Sequence, residues 1–427
     1  MEFIEYKDIN EQLYKDCLPN GLSVFVVPKP GFHKKLAFFA ADYGGVDRRF
    51  KLEGKWIDTP AGVAHFLEHK MFDTKDGNAL EKLSANGASP NAYTSTDITA
   101  YHFECIDRFS ENLETLLDFV STPFFTPESV EKEQGIITQE IRMIEDDPDY
   151  CLYYGLLKAL FKNNPIRDSV AGTVESISGI TVETLYECHK AFYTPSNMVL
   201  CVIGDVEPLM VTDIAQKILP GIAFDVPERD YGLPENRIPD IKFVEKAMEV
   251  SLPIFNAGCM ISFAGSGFDR LRYDIISAIV LEMLFGHSSP FYLNLYAQGH
   301  INADFSASFD SAAGIAYTVF GGEAREPGRI FDEVKNEIHR VLKDGPDEKL
   351  FLRIKKAALG SHIRALNSFG VLAGSIVEGY FRKFDPFKAP ELLSKINIGD
   401  ITDFIRKNLI PENMAISVIN PKNEVIH

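Results

Sequence analysis

The sequence of 427 residues predicts an α+β protein built from two similar lobes in tandem. The first observation is an internal repeat: the segment PSNMV at 195–199 recurs 216 residues later as PENMA at 411–415. The residues before each copy share the spacing of a helix that is followed by an apolar strand. We therefore expect each lobe to contain a mixed or antiparallel sheet with helices packed on one face.

A proline-rich segment separates the two copies. Residues 220–247 contain four prolines among charged residues and show little periodicity, which is typical of an extended linker. The predicted organisation is an N-terminal lobe at 1–219, a linker at 220–247 and a homologous C-terminal lobe at 248–427.

Strands and helices alternate in mixed order within the first lobe. Period-two and continuous apolar patterns predict strands at 22–27, at 36–41 and within 93–105. Helical periodicity covers 61–71, 108–121, 127–146 and 182–192. This order supports the α+β class.

Composition and net charge limit the classes of partner and the location that we expect for this protein. With 45% hydrophobic and 24% charged residues the chain is typical of a globular protein, and no N-terminal leader or membrane-spanning run is visible. The net charge of −18 disfavours nucleic acid and anionic lipid as partners and favours basic or neutral peptides. Six widely spaced cysteines indicate reduced thiols. We expect a cytoplasmic protein without membrane or nucleic-acid partners.

The most informative motif is the run HFLEH at 65–69. On a helix, His65, Glu68 and His69 lie three and four residues apart and therefore share a face. Two imidazoles at this spacing can hold one zinc ion, and the carboxylate beside them is placed to take a proton from an activated water. That is the chemistry of peptide-bond hydrolysis. The alternative is a histidine pair that packs in the core.

A hydrolytic zinc site needs a third protein ligand and one open position. A helix predicted to begin at Pro127 carries Glu133 and Glu140, which lie seven residues, or about two turns, apart and so share a face. Alone, such a pair is more typical of a solvated helix face. Glu145 belongs to an acidic helix end, and we interpret it as solvated.

The motif at 65–69, followed by Glu133 and Glu140, resembles the pitrilysin/insulinase family of inverted-motif (HxxEH) zinc peptidases, or inverzincins, which includes the mitochondrial processing peptidase. The resemblance covers nearly the whole chain. It implies that His65, His69 and Glu140 are the ligands of one Zn²⁺ per chain and that Glu68 is the catalytic general base. It also implies that Glu133 is an outer carboxylate that orients a ligand.

The same resemblance implies a substrate-binding edge strand at Asn91, Ala92 and Tyr93, along which a peptide lies as an added strand. In the second lobe, alignment of the two copies places Ile279 and Met283 at the positions of the two histidines, so this lobe is expected to bind no metal. Glu282 falls at the position of Glu68 and is interpreted as a solvated or paired carboxylate without a catalytic role.

Bacterial two-lobed members of the family often act beside a paralogous subunit, so a homodimer or a heterodimer with such a subunit is expected. Many relatives hold the substrate carbonyl with an Arg and a Tyr of the second lobe, but the comparable stretch here, 295–302, contains no arginine. Three hypotheses follow: a zinc endopeptidase for short or unfolded peptides, a catalytic subunit that needs a partner's Arg and Tyr, and a non-catalytic scaffold subunit.

Overall fold

The fold was analysed in a computed structural model that describes residues 1–219, 221, 225–263 and 265–422. The chain forms two compact units. The first contains Met1–Ile141, Ser169–Tyr231 and Ile363–Pro386, and the second contains Arg142–Asp168, Gly232–His362 and the residues from Phe387 onward. This partition differs from a cut at 220–247, and the predicted boundaries of the homologous lobes stay a prediction.

Sixteen strands are numbered along the described chain. They are β1 (Glu2–Tyr6), β2 (Glu11–Cys17), β3 (Ser23–Pro28), β4 (Lys35–Ala41), β5 (Arg49–Leu52), β6 (Lys55–Asp58), β7 (Asp73–Thr74), β8 (Gly77–Asn78), β9 (Ser89–Thr94), β10 (Thr99–Cys105), β11 (Met198–Gly204), β12 (Phe243–Met248), β13 (Ile254–Ile261), β14 (Ser306–Ala312), β15 (Ile315–Glu323) and β16 (Met414–Pro421).

Fifteen α-helices are numbered in the same way. They are α1 (Val63–Lys70), α2 (Ala79–Ala85), α3 (Phe109–Ser121), α4 (Pro127–Glu145), α5 (Pro148–Leu160), α6 (Val174–Ser178), α7 (Val182–Phe192), α8 (Pro208–Ile218), α9 (Phe268–Phe285), α10 (Pro290–Ala297), α11 (Pro327–Asp344), α12 (Glu348–Ala365), α13 (Phe369–Phe381), α14 (Ala389–Lys395) and α15 (Ile398–Asn408).

Each unit contains one main sheet, and five strands of the first sheet correspond in order and direction to the five strands of the second. The seven-stranded sheet has the order β1-β2-β3-β11-β4-β10-β9, and the five-stranded sheet has the order β12-β16-β13-β15-β14. In both, one pair is parallel (β3 with β11, β12 with β16) and the pairs that follow it are antiparallel, whereas β1 and β2 have no counterpart among the described strands of the second sheet. This correspondence confirms the prediction of two related α+β lobes.

The elements predicted within the first lobe are confirmed to within a few residues. The run at 22–27 is β3, that at 36–41 is β4, and the pattern in 93–105 belongs to the antiparallel pair β9 and β10. The four predicted helices are α1, α3, α4 and α7. Local periodicity was sufficient here because each element buries one continuous apolar face.

The centre of the first sheet is apolar throughout. All seven residues of β11 are buried between its neighbours β3 and β4. One edge of the sheet is β9, whose residues alternate between exposed and partly buried positions. The sheet therefore has a buried apolar centre and a partly exposed edge strand.

One stretch, Phe268–Ala297, is long and apolar enough to cross a membrane by length and composition. Its most apolar window is 61% buried within the protein, and α9 supplies much of the core of the second unit through side chains such as Ile279, Val280 and Leu284. We interpret α9 as a core helix. All six cysteines are free, and four of them are buried.

Candidate metal centre

Helix α1 presents the two histidines because its other face is fixed in the core. Phe66 and Leu67 are fully buried, which sets the rotation of the helix and leaves His65 and His69 on a common, partly accessible face. The helix begins after Gly62, whose φ is +94° and whose added Cβ would lie 2.6 Å from the carbonyl oxygen of Ala171. Only glycine fits this position without strain.

Helix α4 presents the two glutamates toward α1. Val130, Ile137 and Ile141 are buried and anchor one side of this helix. Gln134 adds a polar anchor, since its Nε2 donates to the carbonyl oxygens of Ile177 at 3.3 Å and Ile180 at 3.1 Å. With its register fixed, α4 directs Glu133 and Glu140 to the histidines.

Three donor atoms converge between the two helices. His65 Nε2 lies 3.5 Å from Glu140 Oε1, and His69 Nε2 lies 3.7 Å from Glu140 Oε2. One ligand atom from each residue lies within 4.8 Å of the others, and this is the one such group of three found in the described residues. A tetrahedral zinc ion with bonds of about 2.0–2.2 Å separates its ligands by about 3.4 Å, so the set fits zinc with little movement.

Glu133 orients His69. Its Oε1 lies 3.1 Å from Nδ1 of His69, which leaves Nε2 of that ring directed to Glu140. Such a carboxylate fixes the tautomer of a ligand and raises its basicity. His65 has no equivalent support: its Nδ1 is buried and has no hydrogen-bond partner among the described residues. The two imidazoles are therefore held in different ways.

The electrostatics favour a cation at this point. Burial, followed by the neighbouring charge of His69, lowers the pKa of His65 to about 4, so this ring is neutral and offers a lone pair at neutral pH. Burial also lowers the pKa of His69, but the hydrogen bond that His69 donates to Glu133 and the charges of Glu68 and Glu140 outweigh it and raise the pKa overall. The carboxylates thus attract positive charge to the site, and a metal ion would take the place of the proton on His69.

Glu68 lies beside the three donors but makes a different contact. It is 7% exposed, and its Oε2 accepts a hydrogen bond of 3.2 Å from Thr94 Oγ1. Burial is the main cause that raises the pKa of Glu68, which the charge of His69 and the Thr94 hydrogen bond only partly oppose. A carboxylate with a raised pKa is a better proton acceptor at neutral pH. Its position and basicity suit a general base.

The predicted substrate strand is the edge strand β9. It pairs with β10 on one side, with Ala92 opposite Tyr101, and it is the last strand of the sheet. The N–H of Ala92 donates to the side-chain oxygen of Asn91 at 2.9 Å, and Tyr93 is 41% exposed. Thr94 is the last residue of the same strand and contacts Glu68, so this edge strand ends beside the carboxylate of Glu68.

The second lobe keeps the helix without the ligands. Ile279 and Met283 of α9 are buried among apolar side chains, and Glu282 is exposed. The burial of these positions agrees with the expectation that the metal positions became packing positions. Glu282 is the solvated carboxylate that the sequence predicted.

Three further ionisable residues, Glu145, His102 and His189, are not part of the three-donor group. Glu145 is exposed at the end of α4, where a solvated helix end was predicted. His102 stacks on Phe38, with ring centroids 5.3 Å apart, and is a packing residue. His189 is buried and bonds to the carbonyl oxygen of Val120, which is also a structural role.

Sequence reasoning missed three residues around the centre. Thr94 was given no role although it follows Tyr93 within the predicted edge strand, and the alternation of the strand could have placed its side chain toward α1. Lys70 and Asp73 were also missed; their signal was a lysine inside the apolar run that surrounds the motif.

The fold and the site together define a class: a two-lobed zinc peptidase fold in which one helix carries HxxEH and a second helix carries a carboxylate that could complete a metal site. The profile of the insulinase family (peptidase family M16) matches residues 54–174, and that of the peptidase M16 inactive domain matches residues 179–358. The second match includes Ile279 and Met283, which occupy the two histidine positions in the second lobe.

The chain belongs to the insulinase family of peptidases, peptidase family M16. It is 36% identical, over 98% of its length and 99% of the relative, to the uncharacterized zinc protease YmfH of Bacillus subtilis (strain 168). The crystal structure of an M16-like protein from Alicyclobacillus acidocaldarius is 33% identical, with a TM-score of 0.93, and covers 98% of this chain and 100% of that one. Pitrilysin shares the fold at 17% identity and a TM-score of 0.77, and the match covers 99% of this chain and 46% of pitrilysin.

Proposed function

We propose that this protein is a zinc-dependent endopeptidase that hydrolyses peptide bonds in short or unfolded peptides, with Glu68 as the general base. The observation that carries the proposal is the convergence of His65, His69 and Glu140 on one point with Glu68 beside them. A complete ligand set with an adjacent buried carboxylate is what metal-assisted hydrolysis requires, whereas a scaffold subunit needs neither.

The residues of the site have separable tasks in this mechanism. His65, His69 and Glu140 hold the metal, and Glu133 keeps His69 in the tautomer that binds through Nε2. When bound, zinc supplies Lewis acidity, which lowers the pKa of a coordinated water to about 7 and stabilises the oxyanion.

Glu68 moves the proton. It accepts the proton of the attacking water and returns it to the leaving amine, so one carboxylate acts as base and then as acid. The hydroxyl of Thr94 holds one oxygen of Glu68, Oε2, and leaves the other available for transfer.

The edge strand supports extended peptides as the substrate class. A peptide that adds to β9 must offer a free backbone edge, which short and unfolded chains do and folded proteins do not. The net charge of −18 supports neutral or basic sequences. Six free cysteines support a cytoplasmic site of action.

The test is cleavage of an unstructured peptide library by zinc-loaded protein, followed by removal of the metal with a chelator and its restoration. Cleavage within the peptides that is lost with the metal and restored by zinc is the expected result. Equal cleavage of the same sequences inside a stably folded host protein would contradict the substrate class. Absence of zinc binding would contradict the metal centre itself.

A second candidate is a catalytic subunit that needs a paralogous partner, as a heterodimer. It is favoured by the stretch 295–302, where the arginine of many relatives is missing and Tyr296 of α10 is 51% exposed instead. In this case a paralogous subunit that carries the Arg and Tyr would raise cleavage strongly when added to the purified protein. Full cleavage by the protein alone would remove this candidate.

A further inference from the structure

Lys70, the residue directly after the motif, has a buried ammonium group. Its side chain is 1% exposed, although lysine is rarely buried without a partner. Burial of an uncompensated charge is strongly unfavourable, so its surroundings must supply opposite charge. The C-terminal position of Lys70 in α1 helps, because a cation is favourable at the negative end of the helix dipole.

Two carboxylates compensate Lys70, and one of them belongs to the metal centre. Nζ forms a short ion pair with Asp73, whose side chain is 41% exposed, and lies 4.0 Å from Oε2 of Glu133. The other oxygen of Glu133, Oε1, lies 3.1 Å from Nδ1 of His69. The charged groups thus form a row from Asp73 through Lys70 and Glu133 to His69.

We propose that Lys70 is a positioning residue of the metal centre: its ammonium group, anchored by Asp73, holds Glu133 in the orientation that fixes His69. The inference rests on the proposed metal centre and is independent of the substrate. Glu68, Glu133 and Glu140 all approach the histidines, so their negative charges repel one another. Lys70 offsets this repulsion at Glu133, where no other lysine or arginine ion pair occurs in the described chain.

The test is to measure the zinc dissociation constants of the wild type and of Lys70→Met in competition with a chromophoric chelator. We expect zinc to bind about tenfold more weakly, at the low end of the 10–100-fold cost of losing an outer partner. Lys70→Arg, which keeps the charge, should recover most of this loss. Lys75→Met, which removes an exposed lysine nearby, should leave the constant unchanged.

A double-mutant cycle tests whether Lys70 acts through Glu133. In a Glu133→Gln background, Lys70→Met should cause no further loss of zinc affinity, because the group that it positions is already changed. The visible spectrum of the cobalt-loaded protein should change in the same direction in both single variants. A purely structural lysine would lower the stability of the metal-free protein and leave this spectrum unchanged.

Three outcomes would overturn the inference: unchanged zinc affinity in folded Lys70→Met, equal losses in both backgrounds of the cycle, or an unchanged cobalt spectrum. If Lys70→Met does not fold, Lys70→Gln replaces it in the cycle with the same expectations. A wild-type protein that binds no zinc would contradict the proposed function. A wild-type protein that binds zinc with the same dissociation constant as Lys70→Met would contradict this inference alone.

Discussion

His65 Nε2 lies 3.5 Å from Glu140 Oε1, although the two residues come from different helices. Glu140 also approaches the second histidine, since its other carboxylate oxygen, Oε2, lies 3.7 Å from Nε2 of His69. One carboxylate group thus completes the set of three donor residues. The pairing of α1 with α4 is therefore the feature on which metal binding depends.

Replacement of Glu68 by Gln should separate metal binding from catalysis. The amide cannot accept a proton, so we expect unchanged zinc content and a loss of peptide cleavage of about 10²–10⁴-fold. Elemental analysis and cleavage of a fluorogenic peptide measure the two quantities. The matched control is Glu282→Gln at the corresponding position of the second lobe, which should behave as wild type; full activity in Glu68→Gln would defeat the assignment.

Replacement of Glu140 by Gln should instead remove the metal. A neutral amide oxygen is a poorer donor than a carboxylate, so zinc affinity should fall by more than the 10–100-fold typical of outer partners. Zinc content after dialysis is the measurement, and Glu145→Gln, an exposed glutamate of the same helix, is the control. Stoichiometric zinc in Glu140→Gln would make Glu133 the better candidate ligand.

Replacement of Thr94 by Val should lower the turnover number while zinc content stays the same. The hydroxyl holds Oε2 of Glu68 at 3.2 Å, and loss of a hydrogen bond to a charged group costs about 1.5–3 kcal/mol, or at least about tenfold in rate. Steady-state kinetics on one peptide measures the effect. Thr94→Ser, which keeps the hydroxyl, should restore the rate; if both variants were equally slow, the methyl group and not the hydroxyl would matter.

Replacement of Ala92 by Pro tests the edge strand. The N–H of Ala92 donates to the Asn91 side chain, and β9 is an edge strand, where a proline is tolerated; the substitution removes one backbone donor from this strand. We expect KM for extended peptides to rise roughly five- to tenfold, as for one lost hydrogen bond. Zinc content and thermal stability serve as controls, and an unchanged KM would show that substrates do not use this edge.

His189 should make the free energy of unfolding of the protein depend on pH. Burial lowers its pKa to about 4 from an ordinary 6.5, so the unfolded chain binds more protons between these values. Stability should therefore fall as the pH drops from about 6.5 to about 4, by at most about 3 kcal/mol from this residue. Urea unfolding at several pH values measures this loss.

The contribution of His189 can be isolated by His189→Gln, which keeps a donor for the carbonyl oxygen of Val120. This variant should show a flatter dependence than wild type over that range. His339→Gln, at an exposed position, should keep the wild-type slope. Equal slopes in all three proteins would mean that His189 is not buried in its neutral form.

Much of the first lobe follows from local periodicity. The strands β3 and β4 and the helices α1, α3, α4 and α7 were predicted within a few residues, because each shows its buried face in its own sequence. The exchange of segments between the two compact units was not predicted, since it depends on contacts between residues that are far apart in sequence.

For the site, residue spacing alone shows that His65, Glu68 and His69 share one helix face, and that Glu133 and Glu140 share another. Helical geometry is local, so spacing alone fixes these relations. The tertiary structure decided that the two faces meet, that Thr94 contacts Glu68 and that Lys70 is buried beside Glu133. Such contacts depend on how separate elements pack: the apolar run around Lys70 indicates that this lysine is buried, but it does not show which carboxylates lie beside it.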